Sequence, residues 1–512
     1  MPRARPDARS SLLPPSRRPR IARPVPQLSA GALDVLEAAL VFVPADGTRA
    51  ELARLPHASG ILSRFDRGDA KPGSHFACRL RNGAGTTLVV ALVPHEATPF
   101  ALLELARAAV GTAMQDDPAT LGCAAAGLPA ALGRKAIEAG IAAALAACFR
   151  LPEFKSKPGR RSRLDRVVPF ARRGLDARRA AALSEGTDLV RWLMAMPPDR
   201  LDPTGFRQVA RALARRHGVA TRFYGEKELA RLGAGAFLAV TRGSSRRDAG
   251  ILQLRYRPGR RRDAAPVALV GKGLCFDTGG TNLKPHSSML HMHGDMGGSA
   301  VALAGLLSLA RLGYPGPVDA WLALAENRIG PDAYKPQDVV TTLDGTTIQV
   351  IHTDAEGRMV LADTLALASR SKPAAIVDFA TLTGACMQAL GNRMSGAFTN
   401  RPAWRADIEA AGQESGERVW CMPMDADYDR DIDSKIADVA QCRVDGKGDH
   451  IYAARFLSRF VGEEIPWLHV DLSAATREGG LGHVPTDITG FGVRFLASLL
   501  LDHELPAVGP PA

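Results

Sequence analysis

No run of about 18 or more uninterrupted apolar residues occurs in the 512-residue chain, so no transmembrane helix is expected. A secretory signal is also missing. Residues 1–24 are rich in Arg and Pro and hold hardly any apolar run, whereas an export signal needs an apolar core. Cysteine is sparse: seven residues (78, 123, 148, 275, 386, 421, 442), scattered, with no C-x-x-C pair. An odd, dispersed set excludes a disulfide framework and a zinc ribbon, and points to buried thiols in a reducing cytoplasm. Lysine is scarce as well. Only 11 of the 65 basic residues are Lys, so a lysine inside a candidate site carries more information than an arginine. Neither phosphate-loop pattern, G-x-x-x-x-G-K-[ST] or G-x-G-x-x-G, is present.

The composition is otherwise that of an ordinary globular protein, with 46% hydrophobic residues. A chain this long exceeds one hydrophobic core and implies two or three domains. Residues 1–30 form a basic tail expected to be disordered, and 31–165 an N-terminal α/β domain. Residues 166–200 are a linker with a connecting helix ended by Pro197-Pro198, and 201–505 a larger α/β domain. In the larger region short apolar runs such as Pro266–Val270, Val318–Ala325 and Ala374–Ala380 alternate with helical stretches. That alternation predicts a mostly parallel central sheet covered by helices on both faces. The net charge of +12 admits an anionic partner, nucleic acid included. Much of the excess lies in the tail and in Lys155–Arg163, which read as solvated segments with little aromatic interleaving.

Chemistry concentrates at His352-Thr353-Asp354-Ala355-Glu356-Gly357-Arg358. An alternating run, Thr346–Ile351, precedes it as a strand, and Met359–Ser369 follows as a buried helix. The handover from strand to helix is where sites form in open α/β sheets. Asp354 and Glu356 are two residues apart, so an extended segment points both carboxylates the same way. Converging carboxylates require a cation, a proton or an arginine between them. The plain alternative is an acidic turn with a helix-capping acid.

A second stretch, Val270 to Pro285, leaves an apolar strand through a glycine-rich turn. It places Lys272, Asp277 and Lys284 among four glycines, and Asp295 follows just before a helix, where it could equally be an N-cap. Asp277, Asp295, Asp354 and Glu356 make a carboxylate-rich set suited to hard or borderline divalent cations. Two such ions sharing bridging carboxylates can activate one water. A lysine ligates a cation only as the neutral amine, and a second, charged lysine would face a developing oxyanion.

These motifs, with Thr381-Leu382-Thr383-Gly384-Ala385-Cys386, Glu326-Asn327 and Ala333-Tyr334-Lys335-Pro336, resemble the leucyl aminopeptidase (cytosol aminopeptidase) family of dinuclear metallopeptidases over about Leu201–Leu501. The resemblance implies a metal-dependent aminopeptidase removing leucine-like N-terminal residues from peptides. It implies two divalent ions, Mn or Zn, held by Lys272, Asp277, Asp295, Asp354 and Glu356, with Asp277 and Glu356 bridging. Lys284 would polarise the scissile carbonyl, and Arg358 would hold a bicarbonate as base toward the attacking water. The substrate amine would meet a metal and Asp295. Thr381, Leu382 and Gly384 would line the peptide path, with Met292, Ser473 and Thr476 shaping the side-chain pocket. A homohexamer is also implied.

The chain departs from the family at His352, where Asn is usual, at His293-Gly294 and at Thr476. His352 could alter substrate fit or add a ligand; His286, His291 and His293 read as ordinary loop residues, because the ligand set is complete without them. The rival reading is a DNA-binding accessory protein on a peptidase scaffold, motivated by the basic tail and Lys155–Arg163.

Overall fold

A computed structural model of the chain describes residues 12–68, 71–172, 174–259 and 263–506. The first sheet is built from β1 (Arg20–Ile21), β2 (Ala38–Pro44), β3 (His75–Arg79), β4 (Thr87–Val93), β5 (Thr120–Ala125) and β6 (Arg166–Phe170). Their order is β1-β6-β5-β2-β4-β3, parallel except for the β3 edge. Strand β2 is apolar throughout because both its faces are covered. Leu40 and Phe42 enter one core, and Val41 and Val43 enter the other. Helices Pro99–Ala113 and Ala130–Cys148 pack on this sheet.

Two expectations are corrected here. Within the tail, residues 1–11 lie outside the described residues, but 12–30 are not loose. Leu12 is buried in the core of the larger sheet, and its carbonyl accepts the Trp192 indole N–H at 2.8 Å. Arg18 bonds the buried Asp188 at 2.5 Å, and Arg20–Ile21 pair with β6. Composition alone does not show this, because Arg and Pro ordinarily mark solvated chain, whereas Arg18 has a buried acid to reach. Strand β6, in turn, takes part of the expected linker into the first sheet. In the basic run, Lys155, Arg160 and Arg163 lie 3.7–3.9 Å from Glu153, Asp117 and Glu37, which offset part of its charge.

The larger sheet runs β7 (Ala220–Gly225), β8 (Gly250–Tyr256), β9 (Val267–Asp277) and β10 (Val318–Asn327). A separate small sheet joins β11 (Val339–Thr341), β12 (Thr347–Gln349) and β16 (Val439–Ala440). The larger sheet is completed by β13 (Ala375–Ala380), β14 (Ser395–Thr399), β15 (Val419–Cys421) and β17 (Trp467–Asp471), in the order β15-β14-β17-β13-β9-β10-β8-β7. The middle four strands, β17-β13-β9-β10, are parallel. Side chains alternate between two cores: Val267 and Leu269 face one layer of helices, Ala268 and Val270 the other. Parallel strands share one carboxyl edge, and here it delivers Asp277, Asn327, Ala380-Thr381 and Asp471 to one place. Among the described residues, no helix is long and apolar enough to cross a membrane.

Candidate active site

Strand β9 does not stop at Val270. It runs through Gly271–Phe276 to Asp277, so the expected glycine-rich turn begins seven residues later. Gly279 and Gly280 adopt φ of 85° and 66°, a region costly for other residues. That turn folds the chain back, with Lys284 N–H donating to the Thr278 carbonyl at 2.9 Å. Lys284 Nζ thereby lies 2.9 Å from Asp277 Oδ2 and also pairs with Asp354.

The opening motif reaches the site by another route. Strand β12 belongs to the small sheet, so His352–Arg358 does not hang from the central one. The following helix starts at Glu356 rather than at Met359. Asp354 and Glu356 therefore converge through a turn and a first helical turn, not by strand alternation. Gln441 secures the turn: its side-chain oxygen accepts the N–H groups of Ile351 and His352 at 3.1 Å each, and its amide donates to the Ala355 carbonyl at 3.0 Å. Thr353 joins the two motifs. Its hydroxyl donates to Gly279 O and accepts from Asn282 N, both at 2.7 Å, while its carbonyl accepts from Asn327 and the Tyr334 hydroxyl.

The cluster so assembled is buried. Lys272 Nζ lies 2.9 Å from Asp295 Oδ2, 2.9 Å from Glu356 Oε1 and 3.0 Å from the Thr381 carbonyl. Thr381 also donates its hydroxyl to Asp295 Oδ1 at 2.6 Å. Asp277 Oδ1 accepts from Gly279 N and Asn327 Nδ2 at 2.8 Å each. Carboxylate oxygens of Asp277, Asp354 and Glu356 lie within 4.8 Å of one another.

Four carboxylates face two ammonium groups, leaving an excess of two negative charges in a buried site. Burial opposes the charged form of Lys272, but Asp295, Glu356 and Asp277 outweigh it and hold the ammonium above its usual range. Lys284 is raised in the same way, by Asp277, Glu356 and Asp354 against burial. The acids shift oppositely: burial, with Glu356 and Asp277 nearby, pushes Asp295 up to about 7. Burial and neighbouring carboxylates also raise Asp354 and Glu356. Glu356 Oε2 has no hydrogen-bond partner, and Asp295 Oδ2 and Asp354 Oδ1 accept no well-directed bond although ammonium groups stand beside them.

Arg358 is 2% exposed and points into the 441–449 segment. It donates to the Gln441 carbonyl at 3.0 Å and to Asp449 Oδ2 at 2.6 Å. Of the expected pocket residues, Thr381 and Leu382 adjoin the cluster, and Met292 is half-buried in a 3₁₀ turn three residues before Asp295. Gly384 opens the helix Gly384–Leu390 and is exposed. Ser473 is buried and bonds the Met394 carbonyl, while Thr476 is exposed and bridges to Ile488. No described contact links either to the cluster. His352 is exposed, and its Nδ1 accepts the Asp354 N–H at 3.2 Å. Among the described residues no histidine joins the group able to hold a cation. Asn327 and Thr353, both inside the motifs, support the site, as do Gln441, Asp449 and Asp471, which no local signature marks.

A parallel sheet ending on buried carboxylates with surplus negative charge is the architecture of a cation-dependent α/β enzyme. Residues 188–497 match the profile of the cytosol aminopeptidase family, catalytic domain. A probable cytosol aminopeptidase of Rhodococcus opacus is 34% identical over 496 residues, covering 92% of this chain and 89% of that protein. One from a Polaromonas species is 36% identical over 481 residues, covering 93% and 92%. Among solved structures, the bottromycin maturation enzyme BotP in complex with Mn matches with a TM-score of 0.80 at 32% identity, over 91% of this chain and 99% of that one. A tomato leucine aminopeptidase mutant matches with a TM-score of 0.83 at 26% identity, over 96% and 98%. The chain belongs to the cytosol aminopeptidase family of metal-dependent aminopeptidases. The DNA-binding alternative finds no support in these likenesses.

Proposed function

We propose that this enzyme removes single, leucine-like N-terminal residues from peptides at the Lys272–Glu356 cluster, with two divalent cations held by Lys272, Asp277, Asp295, Asp354 and Glu356. The observation that carries this reading is the surplus charge together with the buried, unpartnered Glu356 Oε2. A buried carboxylate oxygen without a partner is costly unless a cation completes it. The donor set is all carboxylate oxygen and amine nitrogen, which fits Mn or Zn, and the Mn complex of BotP supports a divalent ion. When bound, the cations act as Lewis acids toward the carbonyl and the attacking water.

The chain's own groups do the rest. Lys284 stays charged because three carboxylates raise its pKa, so it donates to the oxygen on which negative charge develops. Asp295 offers an oxygen to the substrate's free α-amine, which restricts cleavage to the first residue. Thr381 and Leu382, fixed against the cluster, line the path of the peptide, with Gly384 beyond them and Met292, Ser473 and Thr476 toward the side-chain pocket. The same reading includes the homohexamer and the cytoplasmic setting, the latter supported by the cytosolic name of the relatives. A bicarbonate at Arg358 belongs to the same reading: the Gln441 carbonyl and Asp449 take one bond each from its terminal nitrogens, and the buried Nε has no partner.

The test is hydrolysis of leucyl p-nitroanilide with Mn or Zn, from about pH 7 to 10, alongside metal analysis of the purified protein. No turnover with either metal refutes the reading. Lys284→Ala and Glu356→Ala are each expected to lose about 10²-fold or more in kcat, as removal of an oxyanion donor or ligand does, with the circular-dichroism melt still cooperative. Full activity in either variant removes the site assignment.

A further inference from the structure

Outside the active centre, helices of the first sheet and of the larger sheet enclose a cavity of about 330 Å³. That size falls within the range of small-molecule sites, which favour domain interfaces. The helix Ala130–Cys148 presents Lys135, Glu138 and Ala142 to it, spaced as one helical face. Opposite, the helix Val493–Leu501 presents Arg494 and Ser498, four residues apart and so again on one face. Three groups here lack partners. Arg494 Nε donates to the Ser415 carbonyl at 3.0 Å, but among the described residues its terminal nitrogens have no acceptor. Glu138 makes no hydrogen bond or ion pair among them either. Burial raises its carboxyl while Arg494 and Arg179 draw it down, so these charges act on one another across a gap. Ser498 is 2% exposed, and its hydroxyl has no partner. Neighbouring charges, by contrast, are closed off. Arg179 holds Asp502 through two bonds, at 2.7 and 2.5 Å. Asp176 caps its own helix, and Glu417, the other acid acting on Arg494, accepts Gly492 N and Phe495 N. Lys135 is exposed to solvent. Polar groups withdrawn from water without partners are costly, and here a cation, an anion and a hydroxyl stand unmatched around one space.

We propose that this cavity is a second ligand site, which binds a free α-amino acid with its carboxylate on Arg494 and its ammonium on Glu138. A zwitterion matches the lining where simpler ions do not. An anion alone leaves Glu138 unpaired beside another negative charge, and a cation alone does the same to Arg494. The two terminal nitrogens of a guanidinium take a carboxylate in parallel bonds, and Ser498 Oγ can donate to the same group. Leu103, Ala142 and Leu183 supply an apolar wall for a short aliphatic side chain. The proposal is independent of the aminopeptidase reading, although free amino acids are what that reaction would release.

The experiment titrates the full-length, metal-loaded enzyme with L-leucine by calorimetry, beside 3-methylbutylamine and 4-methylpentanoate, which keep the side chain but carry one charge each. Wild type is expected to show a leucine component that neither analogue reproduces. Each should bind at least about tenfold more weakly, since the missing charge leaves a cavity group unpaired. Glu138→Gln should lose that component, its Kd rising about tenfold or more. Its kcat and KM on leucyl p-nitroanilide should stay within about twofold, because the cavity shares no residue with the cluster. Ser498→Ala removes a buried, unmatched hydroxyl. It should melt no lower than wild type yet raise Kd about three- to tenfold, the worth of one hydrogen bond. A merely structural serine does not separate stability from binding in this way, and this variant carries the test if Glu138→Gln folds poorly. Leucine isotherms identical in wild type and both variants overturn the proposal, because leucine then binds at the active centre alone or nowhere. So does 4-methylpentanoate binding as tightly as leucine, which makes the cavity a plain anion site. Hydrolysis measured in the same samples bears on the aminopeptidase reading alone: its absence with the leucine component intact overturns that reading and leaves this site standing.

Discussion

Asp471 ends β17 with 1% exposure and makes no described contact with the cluster, yet cluster geometry depends on it. Its Oδ1 accepts Leu382 N at 3.0 Å and Thr383 N at 3.3 Å, and its Oδ2 accepts the Thr383 hydroxyl at 2.6 Å. One residue away, Thr381 presents its carbonyl to Lys272 and its hydroxyl to Asp295. The segment is thus suspended between Asp471 and the site. Asp471→Ala strands three donors, each worth about 1–3 kcal/mol when left buried and unsatisfied, so about 3–9 kcal/mol is at stake unless water enters. A loosened Thr381 then releases Lys272 and Asp295, and kcat should fall about 10²-fold, as a misplacement near 1 Å commonly causes. Asp471→Asn should behave differently. Its oxygen still accepts both N–H groups, and the Thr383 hydroxyl can turn to accept from the new amide. Burial already raises the Asp471 carboxyl, so a neutral isostere loses little. We expect Asn within about 1 kcal/mol of wild type. The assay is kcat and KM on leucyl p-nitroanilide, thermal melting and calorimetric Mn titration. Wild-type kcat in Asp471→Ala refutes the reasoning, and so does an Asn variant as damaged as Ala, which would make charge rather than hydrogen bonding the operative property.

Gly357→Ala would place a Cβ 2.7 Å from Lys272 Cε and Nζ, so the flexible lysine tip must leave Asp295 and Glu356. The variant should melt lower than wild type, since a broken buried ion pair costs about 3–5 kcal/mol against about 1 kcal/mol gained in helix propensity, and bind Mn about tenfold more weakly; calorimetry and melting together check this. Asp363 accepts the N–H groups of Phe237 and Leu343 at 2.7 Å each, and burial pushes it up to about 7. An unfolded aspartate titrates near 3.9, so between about pH 4 and 7 the folded state binds the extra proton. The stability Asp363 contributes is therefore present below about pH 4 and lost as pH rises through 7, by roughly 4 kcal/mol. Urea melts of wild type and Asp363→Asn should diverge over that window and run parallel above it; parallel curves throughout would be the contrary result.

Much of the fold was legible because burial leaves a periodic record. A fully buried parallel strand is apolar without interruption, as in Val267–Val270. Junctions were less legible. Gly271, Lys272 and Gly273 read as turn residues, but β9 continues through them, since a strand covered on both sides has room for little else where helices approach closely. The tail was misread for the opposite reason: Leu12 and Arg18 are held by Trp192 and Asp188, at least 170 residues distant, so nothing local marks them.

The candidate site divides along the same line. Lys272, Asp277, Lys284, Asp295, Asp354 and Glu356 stand in two compact motifs and were found together. Gln441, Asp449 and Asp471 act from more than 80 residues away and were missed. His352 shows what such placement decides. As a possible ligand its bulk would matter, but the imidazole stays outside the cluster and Nδ1 accepts the N–H two residues on. An asparagine oxygen makes that same bond in an Asx turn. The histidine thus preserves the local hydrogen bond, and the turn it supports still delivers Asp354 to Lys284. The far end of the same motif is also fixed from a distance: Arg358 is held by Asp449, a residue with no sequence proximity to it, whose Oδ2 accepts from Nη2 at 2.6 Å.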